Sequence, residues 1–287
     1  MGNAEALSPP TWLITGTSSG LGRLLTERLL ERGDRVAATL RTPARLDDLA
    51  EMYGERLWRA RLDVRDPLDV RSVVGQAFED LDRIDVAVSN AGIGVYGAAE
   101  ELSDDQIDQV ISTNLTGSIH FARAVVPHLR AQGGGRLLQL SSMGGAVAFP
   151  GFSLYHASKW GIEGFIEALA QEIRPFGIEV TLVEPGVVET PFYASAPSTP
   201  VIDAYADNPE IVRGDIPPEE MPGDAEKVVR AMIELGEEED PPARLLLGVD
   251  AYTHVTAAWR ERLRAAEVTS DRSLGAVRDD WVAPDRA

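Results

Sequence analysis

Short apolar runs alternate with amphipathic stretches from Thr11 to Gly248, and their two periods separate strands from helices. "TWLIT" (11–15) predicts a buried strand, followed by a glycine-rich turn and an amphipathic helix to Arg32 that Gly33 stops. "RVAATL" (35–40) is the second strand, after which Thr42 and Pro43 predict a capped helix start. "RLWRARLDV" (56–64) is the third, and Asp66 followed by Pro67 opens the next helix in the same way. "IDVAVSN" (84–90) is the fourth, and Ser103 with Gln106 predicts a capping box on a long helix reaching about residue 131. "GRLLQLSS" (135–142) is the fifth, a helix follows over 153–174, and "IEVTLVEP" (178–185) is the sixth. Residues 191–222 break this rhythm with seven prolines and many acids, as loops that cover a binding site do. A helix (224–235), a short strand "RLLLG" (244–248) and a last helix (250–267) complete the pattern. The ends, 1–9 and 271–287, are expected to fray.

Strands alternating with helices predict an α/β fold, a doubly wound parallel sheet of about seven strands with helices on both faces. No composition break divides the chain, so residues 1–287 read as a single domain with its core over 11–250 and a substrate loop over 190–222.

Composition narrows the chemistry. The 287 residues are 44% apolar and 25% charged, as in ordinary folded proteins. A formal charge of −19 disfavours nucleic acid or an anionic membrane as partner. An anionic ligand would need local cations or backbone N–H groups. The absence of cysteine excludes disulfides and thiolate chemistry and fits a cytoplasmic location. No stretch reads as a membrane span or a signal peptide. His120, His128, His156 and His254 are not spaced as metal ligands, so no metal is expected.

The first strand runs into "TGTSSGLG", with Gly16, Gly20 and Gly22 at the strand-to-helix turn. Glycines let a backbone approach a pyrophosphate, and the free N–H groups of the helix N-terminus face its charge. Thr17, Ser18 and Ser19 add hydroxyls, and Leu21 lies inside the same turn. The stretch "GIGVYG" (92–97) spells the G-x-G-x-x-G dinucleotide fingerprint, but the next helix starts six residues beyond it. It reads instead as a loop lining a pocket at the carboxyl end of the fourth strand. At the end of the second strand, Arg41 stands where an acid would take ribose hydroxyls. A guanidinium there favours a 2′-phosphate, hence NADP(H) over NAD(H).

In "SSMGGAVAFPGFSLYHASKWG" (141–161), Tyr155 and Lys159 stand four apart on one helix face, with Ser142 at the end of the fifth strand. A neighbouring ammonium is expected to lower the phenol pKa and make Tyr155 a usable proton donor or acceptor. The Ser142 hydroxyl would hold a carbonyl oxygen.

These motifs resemble those of the short-chain dehydrogenase/reductase family, in its single-domain branch with a Rossmann-type sheet. The matching pieces are "TGTSSGLG", "LDV" (62–64), "NAG" (90–92), "STN" (112–114), Ser142, "YHASK" (155–159) and "PGVVET" (185–190), in the family's order. "VAATLRT" is most similar to NADP-linked reductases of the 17β-hydroxysteroid dehydrogenase-like group. The resemblance implies hydride transfer between nicotinamide and a carbonyl or secondary alcohol, with Tyr155 exchanging the proton. It puts Asp63 and Val64 beside the adenine, and Asn90, Ala91 and Gly92 beside the adenosine ribose. Asn114 would interrupt the long helix and hold a water linked to Lys159, which also bonds the nicotinamide ribose. On the loop after the sixth strand, with Pro185 and Gly186, Val188 and Thr190 would contact the nicotinamide amide, while Glu189 points outward.

Expected substrate-wall residues are Val95, Tyr96, Met143, Val147 and Phe149, with Phe152, Val187, Phe192 and Tyr193. They describe an apolar, aromatic pocket for a small-molecule ketone, aldehyde or alcohol. Family members pair through the helices at 103–131 and 153–174, so a homodimer or homotetramer is expected, with Phe121, Trp160, Phe165 and Leu169 on the contact faces. Two other readings compete. A non-catalytic dinucleotide sensor or scaffold would not need Ser142, Tyr155 and Lys159 together. An epimerase or dehydratase of the extended branch uses the same Tyr/Lys pair but a different glycine spacing and a longer chain.

Overall fold

The computed structural model describes residues 9–211, 213, 216–278 and 281. Seven strands, β1 Thr11–Thr15, β2 Arg35–Leu40, β3 Leu57–Arg61, β4 Val86–Ser89, β5 Gly135–Leu140, β6 Ile178–Pro185 and β7 Arg244–Leu247, form one sheet in the order β3-β2-β1-β4-β5-β6-β7. Every pairing is parallel, with Trp12 beside Val36 and Val86, and Leu138 beside Val88 and Thr181. The strands read as continuous apolar runs because helices cover both faces. The order reverses between β1 and β4, and in open parallel sheets the crevice beyond that point takes the ligand.

The helices follow from local signals. Helix α1 (Gly20–Arg32) ends at Gly33, whose φ of 105° is in the left-handed region and whose N–H returns to Leu29 and Leu30. Thr42 does not cap the next segment: a 3-10 turn, Pro43–Leu46, precedes α2 (Asp47–Tyr53), and the Thr42 side chain accepts no capping bond. Asp66 does cap α3 (Pro67–Leu81), accepting from the Leu68 and Asp69 N–H groups. Ser103 and Gln106 form the reciprocal capping box of α4 (Asp104–Val110). The long helix expected here is interrupted by a π-helical turn, Ile111–Thr116, before α5 (Gly117–Ala131).

Helix α6 (Ser153–Ile173) carries Tyr155 and Lys159, the short α7 (Pro191–Ser195) opens the proline-rich segment, and α8 (Ala225–Leu235) follows it. Helix α9 (Val249–Val268) is succeeded by α10 (Ser270–Leu274), one more helical turn in the stretch expected to fray. Residues 1–8 of that expectation, and most beyond 278, lie outside the described residues.

Two apolar layers hold the sheet. On one face α3 packs on α5, burying Val70, Val74, Phe121 and Leu129 against Leu13, Ala87 and Leu137. On the other α1 packs on α8, burying Leu25, Leu29, Val229 and Met232 against Trp12 and Ile14. Fully burying such side chains contributes roughly 1.5–3 kcal/mol each. Two of the four residues expected at a subunit contact belong to this core: Phe121 is fully buried and Leu169 nearly so, because their helix faces turn toward the sheet. Phe165 is half-buried against the same core, whereas Trp160 is exposed and stacks under the Arg262 guanidinium.

Candidate active site

At the carboxyl ends of β1, β2, β4, β5 and β6 lies a cleft of about 500 Å³. Its floor at one end is the glycine turn. Gly16 and Gly20 have φ of 72° and 56°, which side-chain-bearing residues rarely adopt. Space beyond Gly20 is open, with nothing nearer its missing Cβ than the Thr190 side chain at 3.9 Å. Ser19 precedes α1 without a side-chain cap, so the first-turn N–H groups face the cleft unspent. Leu21, Gly22 and Ser18 also line it.

Thr17 does not. It is fully buried, and its hydroxyl donates to the Thr39 carbonyl, tying the turn to β2. The turn is held from the other side by Asn90, whose side-chain amide donates to the carbonyls of Thr15 and Gly16 at 2.8 and 3.1 Å. The Thr15 hydroxyl in turn accepts from the Asn90 and Ala91 N–H groups. Asn90, Ala91 and Gly92 therefore line the cleft as a strut for the glycine turn.

Arg41, just past the end of β2 and so on the glycine-turn side, lines the cleft with Thr42, Arg45 and Arg65. Asp63 is clamped by the Arg65 guanidinium at 2.6 Å, and this bond, aided by the Arg41 charge, holds its carboxyl below the usual range. Val64, Pro185, Gly186, Val188 and Thr190 line the remaining cofactor-side wall, and Glu189 is exposed.

Ser142, Tyr155 and Lys159 meet in the same cleft. Burial pushes the Tyr155 phenol up to about 12, against the pull of the Ser142 hydroxyl. Lys159 is buried, bonds the Leu140 carbonyl at 2.9 Å, and is pushed down to about 8 by that burial. Its Nζ stands 5.6 Å from the Tyr155 ring centroid. In this geometry desolvation sets the direction of the phenol shift, and the Lys159 donor is turned toward the Leu140 carbonyl at the end of β5. Asn114 is buried outside the cleft, on the π-helical turn. Its amide bridges the Ile93 backbone and the Ser158 hydroxyl, so it braces the loop after β4 against α6.

Of the nine expected wall residues, Phe192 and Tyr193 line the cleft. The Phe192 ring lies 5.7 Å from that of Tyr155. Met143, Val147, Phe149 and Val187 instead pack with Ala251 and Val255, because the apolar face of α9 closes over them. Val95 joins Val110 and Leu154, and Tyr96 stacks edge-on against Phe152.

The 92–97 loop serves a second purpose. Gly94 lets Phe192 approach, and Gly97 leaves room for Thr199, whose hydroxyl would lie 2.0 Å from an added Cβ. The covering segment is further latched by Glu101, which accepts two bonds from Arg213 and one from the Ile202 N–H. Sequence reading missed this latch and the cleft residues Arg45, Arg65, Ile93 and Ser141. An arginine two residues after Asp63 was the one available signal. Among the described residues no group of His, Asp and Glu could hold a metal ion, and no helix is long and apolar enough to cross a membrane.

A family model described as short chain dehydrogenase matches residues 10–200. The chain belongs to the short-chain dehydrogenase/reductase family of oxidoreductases. Oxidoreductase BOA17 of Botryotinia fuckeliana is 35% identical over 271 residues, 90% of this chain and 93% of its own. 17-beta-hydroxysteroid dehydrogenase type 1 of Homo sapiens is 36% identical over 197 residues, 66% of this chain and 60% of its own. A short-chain dehydrogenase from Streptomyces avermitilis superposes with a TM-score of 0.84 at 34% identity, covering 93% of this chain and 100% of that one. A serine dehydrogenase solved with NADP+ shares the fold, with a TM-score of 0.70 at 24% identity over 83% of this chain and 94% of its own.

Proposed function

We propose that this protein is an NADP(H)-dependent oxidoreductase interconverting a carbonyl compound and a secondary alcohol. The observation that carries the reading is a single cleft with unspent helix N-terminal donors and Arg41 at one end, and Ser142, Tyr155 and Lys159 at the other. The glycine cradle suits a pyrophosphate, and the guanidinium groups of Arg41, Arg45 and Arg65 suit a 2′-phosphate. Asp63, already paired with Arg65, does not oppose that phosphate as a free carboxylate would.

The nicotinamide, when bound, supplies or takes the hydride. Tyr155 gives its phenolic proton to the substrate oxygen in reduction and accepts it in oxidation. Ser142 holds that oxygen, and Lys159 provides the positive charge beside the pair. Phe192 and Tyr193 form the aromatic wall over the reacting centre, which suits an apolar substrate.

Titration of the protein's fluorescence with NADPH and with NADH tests the cofactor end without a known substrate. NADPH is expected to bind more tightly. Arg41→Asp is expected to weaken NADPH by at least about 10-fold, as loss of a charge-assisted hydrogen bond of roughly 1.5–3 kcal/mol requires. An unchanged NADPH-to-NADH ratio would sink the assignment. A homodimer or homotetramer in the cytoplasm belongs to the same reading, with Trp160 as the exposed aromatic on α6. Light scattering at micromolar concentration checks it, a monomer being the contrary result.

A further inference from the structure

Beneath the Tyr155–Lys159 pair lies a group of charges with no part in the chemistry above. Glu163 follows Lys159 by one turn of α6 and is almost wholly buried. One carboxylate oxygen accepts from the Ser141 hydroxyl at 2.5 Å, and the other from the Arg244 guanidinium at 2.8 Å. The first oxygen also lies over Gly145, where an added Cβ would stand 1.7 Å from it. Glu163 thus touches both the residue before Ser142 and the turn after it, Met143–Gly145, to which Ser142 itself is the N-cap.

Arg244 reaches this spot from β7, the edge strand, and holds two further carboxylates. Glu184 on β6 is fully buried and receives the same guanidinium nitrogen at 2.5 Å, while the half-exposed Glu167 takes the other two nitrogens. Two buried carboxylates share one cation, and burial together with the Glu163 charge pushes the Glu184 carboxyl up to about 7. The other groups facing this cluster are Tyr155 and Lys159 on α6, both within reach of the Glu163 charge, and beyond Tyr155 lies the Tyr193 phenol, itself near Asp250.

We infer that Glu163 is a positioning residue of the Ser142–Tyr155–Lys159 set: it clamps the turn that presents Ser142, and its carboxylate, balanced by Arg244, holds the charge on Lys159. The name rests on the reading of those three residues as a reductase centre. Two opposing effects act on Lys159. Burial favours the neutral amine, and the Glu163 carboxylate favours the ammonium. Without the carboxylate, the Leu140 carbonyl would be left to oppose burial, and the positive charge needed beside the phenol would be lost at lower pH.

The sequence makes this testable at one atom. The chain has two lysines, Lys159 and Lys227. Lysine labelled with carbon-13 at Cε therefore gives two signals, assigned by Lys227→Arg. In the full-length protein Lys159 is expected to titrate near 8, and the exposed Lys227 serves as the internal reference. Glu163→Gln keeps the shape and an acceptor for Ser141 while removing the charge. It is expected to lower the Lys159 midpoint by about 1 pH unit, as loss of one carboxylate at short range predicts. Glu163→Asp retains the charge and is expected to hold the midpoint close to that of the parent.

An unmoved midpoint in a folded Glu163→Gln protein would overturn the inference. So would an equal shift in Glu163→Asp, which would assign the effect to packing. If Glu163→Gln fails to fold, both lysine signals collapse to one ordinary midpoint, and Glu163→Asp alone still decides: a lowered Lys159 midpoint there overturns the charge account, and a retained one supports it. The titration requires neither cofactor nor substrate. Failure to bind NADPH or reduce carbonyls would count against the proposed function and leave this result standing.

Discussion

Tyr155→Phe is expected to lower turnover about 10²–10⁴-fold while leaving NADPH affinity within a few-fold, since it deletes one hydroxyl that exchanges a proton in the transition state. The ring stays, so its contacts with Phe192 and Phe152 persist and the cleft keeps its shape. The pH dependence has a definite sign. With the phenol held up at about 12, Tyr155 is protonated through neutral pH and stands ready to donate in reduction. Lys159, pushed down to about 8, carries its charge below that pH and loses it above. Reduction should therefore hold a plateau on the acid side of about 8 and fall on the alkaline side. Oxidation, which needs the phenolate, should climb with pH until the loss of the Lys159 charge opposes it. Steady-state rates with NADPH and a carbonyl compound found by screening, for parent and variant across pH, measure both effects. Near-normal turnover in Tyr155→Phe would remove it from the reaction.

The seven strands and the Tyr155–Lys159 pair were legible because each depends on a local period: continuous apolar runs for strands, four-residue spacing for a helix face. Strand ends also told that the loop after β4 borders the cleft, whereas Asn90, Asp63 and Val188 were placed by the family resemblance. They did not tell which way a loop side chain turns. Met143, Val147 and Phe149 had a nearer apolar partner in α9, a helix about a hundred residues later, and Thr17 found a carbonyl on β2. Asn114 marked the interruption of the long helix, but its side chain was already committed to Ile93 and Ser158. The Glu163–Arg244 pair spans 81 residues and the Glu101–Arg213 pair 112. Such pairs are set by which strand and loop the topology brings alongside, and no short window of sequence carries that information.

The glycine turn is where a single methyl group should have its largest effect. In Gly22→Ala the added Cβ would stand 2.3 Å from the Asn90 amide nitrogen and 2.5 Å from the Gly16 carbonyl oxygen. Asn90 cannot yield cheaply, because that nitrogen bonds the Thr15 and Gly16 carbonyls and thereby holds the turn to β4. Either the strut leaves, stranding polar groups, or α1 moves away from the sheet. Overpacking of this kind costs about 1–3 kcal/mol, and a lost buried hydrogen bond about 1 kcal/mol more. At roughly 2–4 °C of melting temperature per kcal/mol for a chain of this size, the drop is easily read in a thermal melt. Any shift of the α1 N-terminus also spoils the donors aimed into the cleft, so NADPH affinity should fall by at least about 10-fold. Gly164→Ala gives the contrast. Gly164 is exposed in the middle of α6, with nothing within 4 Å of its missing Cβ. There the same methyl should stabilise by roughly 0.5–1 kcal/mol, because alanine loses less backbone entropy than glycine on entering a helix. If the two variants melted alike and bound NADPH alike, the close approach of Asn90 to Gly22 would not be what shapes the cradle.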